Sequence, residues 1–550
     1  MSHVSLPRLG HLAVDNNYES PASLSPVETS GTDEDDTSGN STPDQNALET
    51  PGEAVVVSVA TTPQKAGSAV LELTPIQGPL ESTIKTDNDA VLVSVKRKHL
   101  AGKPHFQEFR FKRISSIFEL ESSRSSQFFG FYTLFWLSVG LFMTRTLIDN
   151  YRAGTSVLDF EIVRILRRDL FKVALTDLGM YLAGYFCVAL QWAIRAKLIR
   201  WRSSGWIIQN AFQTFFLFFF MWLAKYCNFP WIGRVYLLLH SLVLLMKMHS
   251  YAFYNGYLWS TLEDLHIVEG SLKKLQDGKT KDTSSATVEE LNELHKFLRE
   301  ELAAQSTTTP FPTNLTLFNY FEYSMFPTLV YQIDYPRTES INWSYVGEKV
   351  AAVFGVFFLM IVLAEKYLYP IAIEALKLRP LPFREKALEY PLILLNLTLP
   401  FTLMYILVFY IIWDAILNAI AELTRFSDRE FYGPWWNSIT WDQFARDWNV
   451  PVHRFLLRHV YHSSISTFNV SKKAATLITF LLSSCIHELV MYVIFERLRG
   501  YLLFLQMCQL PLVALSRSRF MRNKAVLGNV IFWFGILTGP SLMCSMYLVF

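Results

Sequence analysis

Charge is scarce in this chain: 18% of its 550 residues are Asp, Glu, Lys or Arg, against 51% hydrophobic and 15% aromatic. A soluble protein of this size needs a more charged surface, so a wholly aqueous fold is excluded. The formal net charge of +2 comes from scattered side chains, and no Lys/Arg-rich run is interleaved with exposed aromatics, which argues against a nucleic-acid partner. Cysteine is equally sparse. The five, Cys187, Cys227, Cys485, Cys508 and Cys544, lie far apart without a CxxC pair, so neither a zinc site nor a redox couple is indicated. Thiols in apolar stretches are ordinarily buried and inert. Neither a GxSxG elbow nor a P-loop is present, so serine-hydrolase and nucleotide-hydrolysing mechanisms lack their usual marks. The opening MSHVSLPRLGHLAVDNNYES has no apolar core of a signal peptide, and membrane entry is expected to rely on the first internal hydrophobic segment.

What is abundant is long apolar sequence. A membrane helix takes about 20 mostly apolar residues, and nine segments qualify: 127–147, 173–194, 206–226, 232–254, 348–369, 390–421, 474–495, 498–515 and 526–549. The expected fold is therefore all-α, a polytopic membrane protein of about nine transmembrane helices. Residues 1–95 are rich in Ser, Thr, Pro, Asp and Glu and should form a disordered tail. The segment 96–126 follows with Lys96, Arg97, Lys98, Lys103, Arg110, Lys112 and Arg113, and the positive-inside rule makes the tail cytosolic. Nine crossings then put the C-terminus in the lumen. Arg195, Lys197, Arg200 and Arg202 obey that parity, as do Arg517, Arg519, Arg522 and Lys524, whereas Lys377, Arg379, Arg384 and Lys386 do not. Two polar loops, 257–345 and 423–472, share the cytosolic side. The first carries VEELNELHKFLREEL, an amphipathic helix for which Thr287 is a plausible N-cap. The second is dense in Trp, Tyr and His, a composition also common at membrane interfaces for anchoring alone.

Chemistry concentrates in KKAATLITFLLSSCIHELVMYVIFERL. An isolated histidine there would by default be a hydrogen-bonded core residue, but His487 has Glu488 beside it and small residues before it, and ionisable groups at membrane depth usually serve a purpose. His487 lies fifteen residues after Lys472, roughly 22 Å along a helix at 1.5 Å per residue. An imidazole at that depth suits deprotonation of an alcohol attacking a carbonyl. Such a reaction also needs a group that holds the carbonyl oxygen, and the amide of Asn449 in ARDWNVPVH is the best candidate by type.

The residues then form an ordered set. FYGPWWN, with Phe431, Tyr432, Trp435, Trp436 and Asn437, resembles the FYxDWWN signature of the sterol and diacylglycerol acyltransferases of the membrane-bound O-acyltransferase family. Trp448 and Asn449 follow, and SSCIHE ends on His487 and Glu488. The phrases FPTLVYQIDYPRT, WDAILNAIAELTRF, VPVHRFLLRHVYHSS and GNVIFWFGILTGPSLMC, with LMKMHSY at 245–251, are similar to the fungal sterol O-acyltransferases. The resemblance spans roughly residue 100 to the end, and residues 127–550 form the acyltransferase domain it implies. It further implies His487 as general base, Asn449 as its companion, acyl-CoA contacts from Tyr461, Lys472 and Ser483, endoplasmic reticulum residence, and a homodimer or higher homo-oligomer. Acyl-CoA and a sterol would be the substrates in a lipid setting, with no cofactor and no metal. The chain departs from the signature at Pro434, where the motif has an acid, and any role of that carboxylate is in doubt here.

Other readings stay open at this level. Diacylglycerol acylation would share the base, the amide and the acyl-CoA site. A lipid or ion transporter with a relay histidine would need paired interrupted segments, and none is evident. A catalytically silent sterol-binding subunit is conceivable because of Pro434. Cys485 as an acyl acceptor is disfavoured, since residues two apart on a helix point apart. His453, His459 and His462 lack standard zinc spacing and read as interfacial polar residues.

Overall fold

The computed structural model describes residues 111–120, 123, 125, 129–152, 160–277, 285–306, 308–468, 470–521 and 524–550. The expected tail at 1–95 lies outside them. Among the described residues the regular structure is helical, apart from two isolated β-bridges, Ile114 with Asp428 and Arg337 with Phe426.

The long apolar runs fold into helices because hydrocarbon cannot hydrogen-bond an exposed backbone. Eight described helices are long and apolar enough to cross a membrane. They are α1 (Phe129–Arg152), α2 (Leu170–Arg195), α3 (Trp201–Tyr226), α4 (Trp231–Gln276), then α7 (Trp343–Leu378), α8 (Phe383–Leu423), α11 (Lys472–Phe495) and α13 (Ala525–Val549). Between them lie α5 (Ser285–Ala303), α6 (Leu317–Met325), α9 (Trp441–Asp447) and α10 (Val450–Leu456). The remaining expected crossing is α12 (Tyr501–Ser516), shorter than the others and divided at Cys508 into two short helices. Large apolar side chains such as Leu141, Phe171, Phe354 and Leu395 face outward, while Gln191, Asn255, Asp264 and Asp414 are buried. That inversion suits a lipid surround.

Ion pairs and hydrogen bonds between distant segments agree with nine alternating crossings. Arg234 at the start of α4 pairs with Glu496 just after α11. Lys386 near the start of α8 donates to the Val549 carbonyl at the end of α13. At the opposite level, Arg517 after α12 meets Asp442 of α9 at 2.8 Å. Asp442 is held below its ordinary value even though burial alone would raise it, because Arg517 and Arg446 bond its carboxylate.

At 46 residues, about 69 Å at 1.5 Å per residue, α4 is longer than a bilayer core needs. Its final turns project beyond the membrane and pack Leu265 and Val268 against Leu291, Leu294 and Leu298 of α5. Helix α5 begins at Ser285, so Thr287 sits inside its first turn and is not the N-cap expected from the sequence. The amphipathic stripe fixed the helix's existence, and the boundary slipped by a few residues because helix ends depend on tertiary context.

Four π turns interrupt described helices, at Trp201–Gly205, Ala364–Leu368, Tyr410–Ile416 and Leu457–His462. A π turn shifts the side chains after it around the helix axis and is frequent at functional sites. The first one presses Trp201 onto α4, where a Cβ on Gly256 would lie 2.0 Å from the indole. Gly256→Ala is expected to cost about 1–3 kcal/mol through overpacking, measurable as a lower thermal midpoint of the detergent-purified protein, whereas Gly270→Ala, whose Cβ meets nothing within 4 Å, should leave the midpoint unchanged or raise it.

Candidate active site

His487 projects from α11 about two thirds of the way along the helix. Its Nδ1 lies 2.8 Å from the Ser483 carbonyl one turn earlier. A carbonyl only accepts, so Nδ1 carries the hydrogen and, in the neutral ring, Nε2 carries the free lone pair. The lipid-facing arc of α11 is marked by exposed Ile478, Leu481, Leu482 and Tyr492. At about 100° per residue His487 points some 120–180° away from most of that arc, among half-buried Thr476, Phe480, Ser483 and Ile494. Its own ring is nevertheless exposed. Helix α11 packs against α12, α4 and the π turn at Leu457–His462. Lys472, Ser483 and His487 share this stripe, being eleven and then four residues apart. Cys485 points to lipid, which leaves it no part in the site.

Glu488 does other work. Its carboxylate accepts from Gly500 N (2.7 Å), Leu503 N (3.1 Å) and the Tyr547 hydroxyl, so it satisfies the first turn of α12 and ties α11 to α13. The neighbour that made His487 conspicuous in the sequence therefore faces away from it. Lys472 is the first residue of α11, exposed, behind the N-cap Ser471, whose side chain accepts from Ala474 N. Tyr461 is half-buried in the π turn.

Asn449 caps α10, its Oδ1 accepting from Val452 N at 3.2 Å. Capping alone would explain an Asn here. The cap consumes only the oxygen, however, and fixes which way the amide points, so the Nδ2 hydrogens remain as donors. The FYGPWWN loop places this residue by backbone pairing on either side of it: Gly433 N donates to Asp447 O (2.7 Å), and Val450 N donates to Phe431 O (3.1 Å). A Cβ at Gly433 would come within 2.9 Å of the Asp447 carboxyl carbon, so the close approach requires glycine. Trp448 is wedged between Tyr405 and Trp435, with ring centroids at 4.7 and 4.8 Å. The Trp436 carbonyl accepts from Trp533 Nε1 and Asn529 Nδ2 of α13. Phe431, Tyr432 and Trp435 are buried, whereas Asn437 and Pro434 are exposed. Pro434 tolerates this place because its carbonyl, not an N–H, is used, accepting from Asn437 N at 2.9 Å. The motif is thus the scaffold of the Asn449 loop. No hydrogen bond among the described residues joins Asn449 to His487.

Tertiary structure adds residues to which sequence reading gave no role. Tyr432 donates to Asp414 Oδ1 (2.8 Å), and Asp414 Oδ2 meets Lys349 Nζ at 2.7 Å in a fully buried pair between α8 and α7. Lys247 of α4 donates to the carbonyls of Tyr323, Ser324 and Phe326, closing the C-terminal end of α6 with a cation. Ser250 accepts from Tyr331 N and shares a hydrogen bond with His459 Nε2, both at 2.8 Å. His459 is buried, not interfacial as its composition suggested. Burial, with Arg446 and Arg454 adding to it, holds His453 below its ordinary value, so it is neutral at pH 7. The rule that ionisable residues in apolar runs need a purpose would have flagged Lys247, Lys349 and Asp414. The partners of the two lysines lie 65 or more residues away, which no local pattern reveals.

Removing one member of the buried pair should be far worse than removing both. Lys349→Met alone is expected to destabilise by about 3–5 kcal/mol. The double variant Lys349→Met/Asp414→Leu should recover much of that, read from thermal unfolding in detergent; equal losses in both would contradict a paired role.

Comparison with known proteins identifies the family. The family model of the membrane-bound O-acyltransferase family matches residues 270–549. The chain is 49% identical to the sterol O-acyltransferase 2 of Candida albicans over 493 residues, 83% of this chain and 80% of that protein. It is 47% identical to the sterol O-acyltransferase 2 of Saccharomyces cerevisiae over 78% of this chain and 67% of that protein. The diacylglycerol O-acyltransferase 1 of Dictyostelium discoideum matches at 34% identity over 44% of this chain and 38% of its own length. The polytopic helical bundle, the motif loop and the long match to the fungal enzymes together establish that the chain belongs to the membrane-bound O-acyltransferase family, alongside the sterol O-acyltransferases.

Proposed function

We infer that this chain transfers a fatty acyl group from coenzyme A to the 3-hydroxyl of a sterol, ergosterol or a related one, with His487 as base and Asn449 as carbonyl donor. The observation that carries the residue assignment is the bond from His487 Nδ1 to the Ser483 carbonyl, which leaves Nε2 as a proton acceptor on the face of α11 turned from most of its exposed apolar side chains. Nε2 takes the hydroxyl proton as the sterol oxygen attacks the thioester carbon. The oxyanion that develops accepts from Asn449 Nδ2. Collapse breaks the carbon–sulfur bond, and the leaving thiolate takes the proton back from Nε2, giving sterol ester and free coenzyme A. No covalent acyl-enzyme and no cofactor is needed.

Tyr461, Lys472 and Ser483 are assigned to acyl-CoA. Lys472 is exposed at the helix end that a phosphate can reach from water, and Ser483 shares the His487 stripe. Residence in the endoplasmic reticulum with a cytosolic N-terminus, and assembly as a homodimer or higher homo-oligomer, extend the reading to the cell. The long match to sterol enzymes, against the partial one to a diacylglycerol enzyme, favours the sterol acceptor.

Purified protein given labelled acyl-CoA with both acceptors should form sterol ester; triacylglycerol without sterol ester would reject the acceptor. His487→Ala should lower kcat by roughly 10²–10⁴-fold, the range for a general base. Asn449→Ala should lower it by about 10²–10³-fold, as for an oxyanion donor. Unchanged turnover in His487→Ala would remove the base and point to a silent subunit whose activity came from a contaminant.

A further inference from the structure

Residues 111–119 belong to none of the crossing helices, yet they run across the loop that carries FYGPWWN. Ile114 pairs with it on both sides, donating to Ser427 O (3.0 Å) and accepting from Arg429 N (2.9 Å). Lys112 N donates to Asp428 Oδ2 at 3.0 Å, while Asp428 Oδ1 takes Arg454 of α10 at 3.3 Å. That single buried carboxylate therefore bridges the segment to the helix that Asn449 caps. Arg454 also lies over the Phe111 ring, 5.5 Å from its centroid. Further along, the buried Ser116 hydroxyl reaches Tyr432 and Asp414 at 3.3 and 3.4 Å, and Phe118 stacks on Trp436 with the planes 8° apart.

We propose that residues 111–119 act as a strap that positions Asn449, with Asp428 as the positioning residue at its centre. The proposal rests on the reading of Asn449 as carbonyl donor. Two routes lead from strap to amide. One passes from Ser427 and Arg429 through Phe431 and Gly433 to the backbone on either side of Asn449. The other passes through Asp428 and Arg454 to the body of α10. A loop this rich in aromatic contacts packs well without the strap, but packing is not directional. The hydrogen bonds fix the rotation of α10, and hence where Nδ2 points, and displacement of a catalytic group by about 1 Å costs up to 10²-fold in rate. The strap also makes transfer depend on a segment N-terminal to the first crossing, next to the long polar tail.

The test uses the full chain in detergent with sterol and labelled acyl-CoA. Asp428→Asn keeps the shape and removes the charge; Ile114→Pro removes the N–H donated to Ser427. Each should lower kcat by about tenfold or more, with KM for acyl-CoA and for sterol within about twofold of the parent. Arg113→Ala, an exposed strap side chain, should match the parent. In an Asn449→Ala background, Asp428→Asn should cause no further loss, because the group it positions is gone. Parental kcat in folded Asp428→Asn would overturn the proposal, and this isosteric variant decides should Ile114→Pro not fold. A full additional loss in the Asn449→Ala background would place the strap's action elsewhere and overturn the route to the amide. Parental activity of Asn449→Ala itself would overturn the underlying reading of that residue, whatever the strap variants do.

Discussion

The bond between Lys349 and Asp414 joins α7 to α8 inside the bundle, where neither charge can be hydrated. Each is tolerable only because the other is there. Once paired, the carboxylate has lone pairs to spare, and Tyr432 and Ser116 use them. The FYGPWWN loop is thereby hung from the membrane-embedded frame by a buried charge, and Phe409, Trp413 and Trp448 fill the space around it. Removal of the charge would leave the aromatic packing without a fixed direction.

The same logic runs through the site. Glu488 spends its carboxylate on the backbone of α12 and on Tyr547, so α11 is held in rotation by one residue while its neighbour, the proposed base, takes no part in that tie. His487 is oriented by its own helix, through the carbonyl of Ser483, and needs no acid to set its tautomer. Lys247 closes α6, and Ser250 with His459 ties the π turn that carries Tyr461 to α4 and to residue 331. Functional groups sit on rigid elements, and their supports are polar groups that hydrocarbon forces into pairs.

Much of the fold was legible in the sequence. Nine segments qualified by apolar length; eight of them are helices long enough to cross a membrane, and α12, with 16 residues, falls just short of the usual span. In the site, residue types and spacing brought out His487, Asn449 and the aromatic motif. Spacing misjudged the purposes of some neighbours. Glu488 marked the segment as functional because it is adjacent to His487, yet adjacent residues diverge by about 100° on a helix and its carboxylate serves α12 and Tyr547. His459 looked interfacial because its loop is aromatic, yet the π turn rotates it inward to Ser250.

By itself the sequence determined that the chain is a helical, multi-pass membrane protein and which residue types can carry acyl transfer. Those depend on composition and period, and they survive any rearrangement of the helices. Tertiary structure alone decided which polar groups pair. Lys349 with Asp414, Asp428 with both Lys112 and Arg454, and the Asn449 loop with its scaffold are separated by up to 316 positions. Their meeting is set by helix packing and loop closure, which no local pattern of residues encodes.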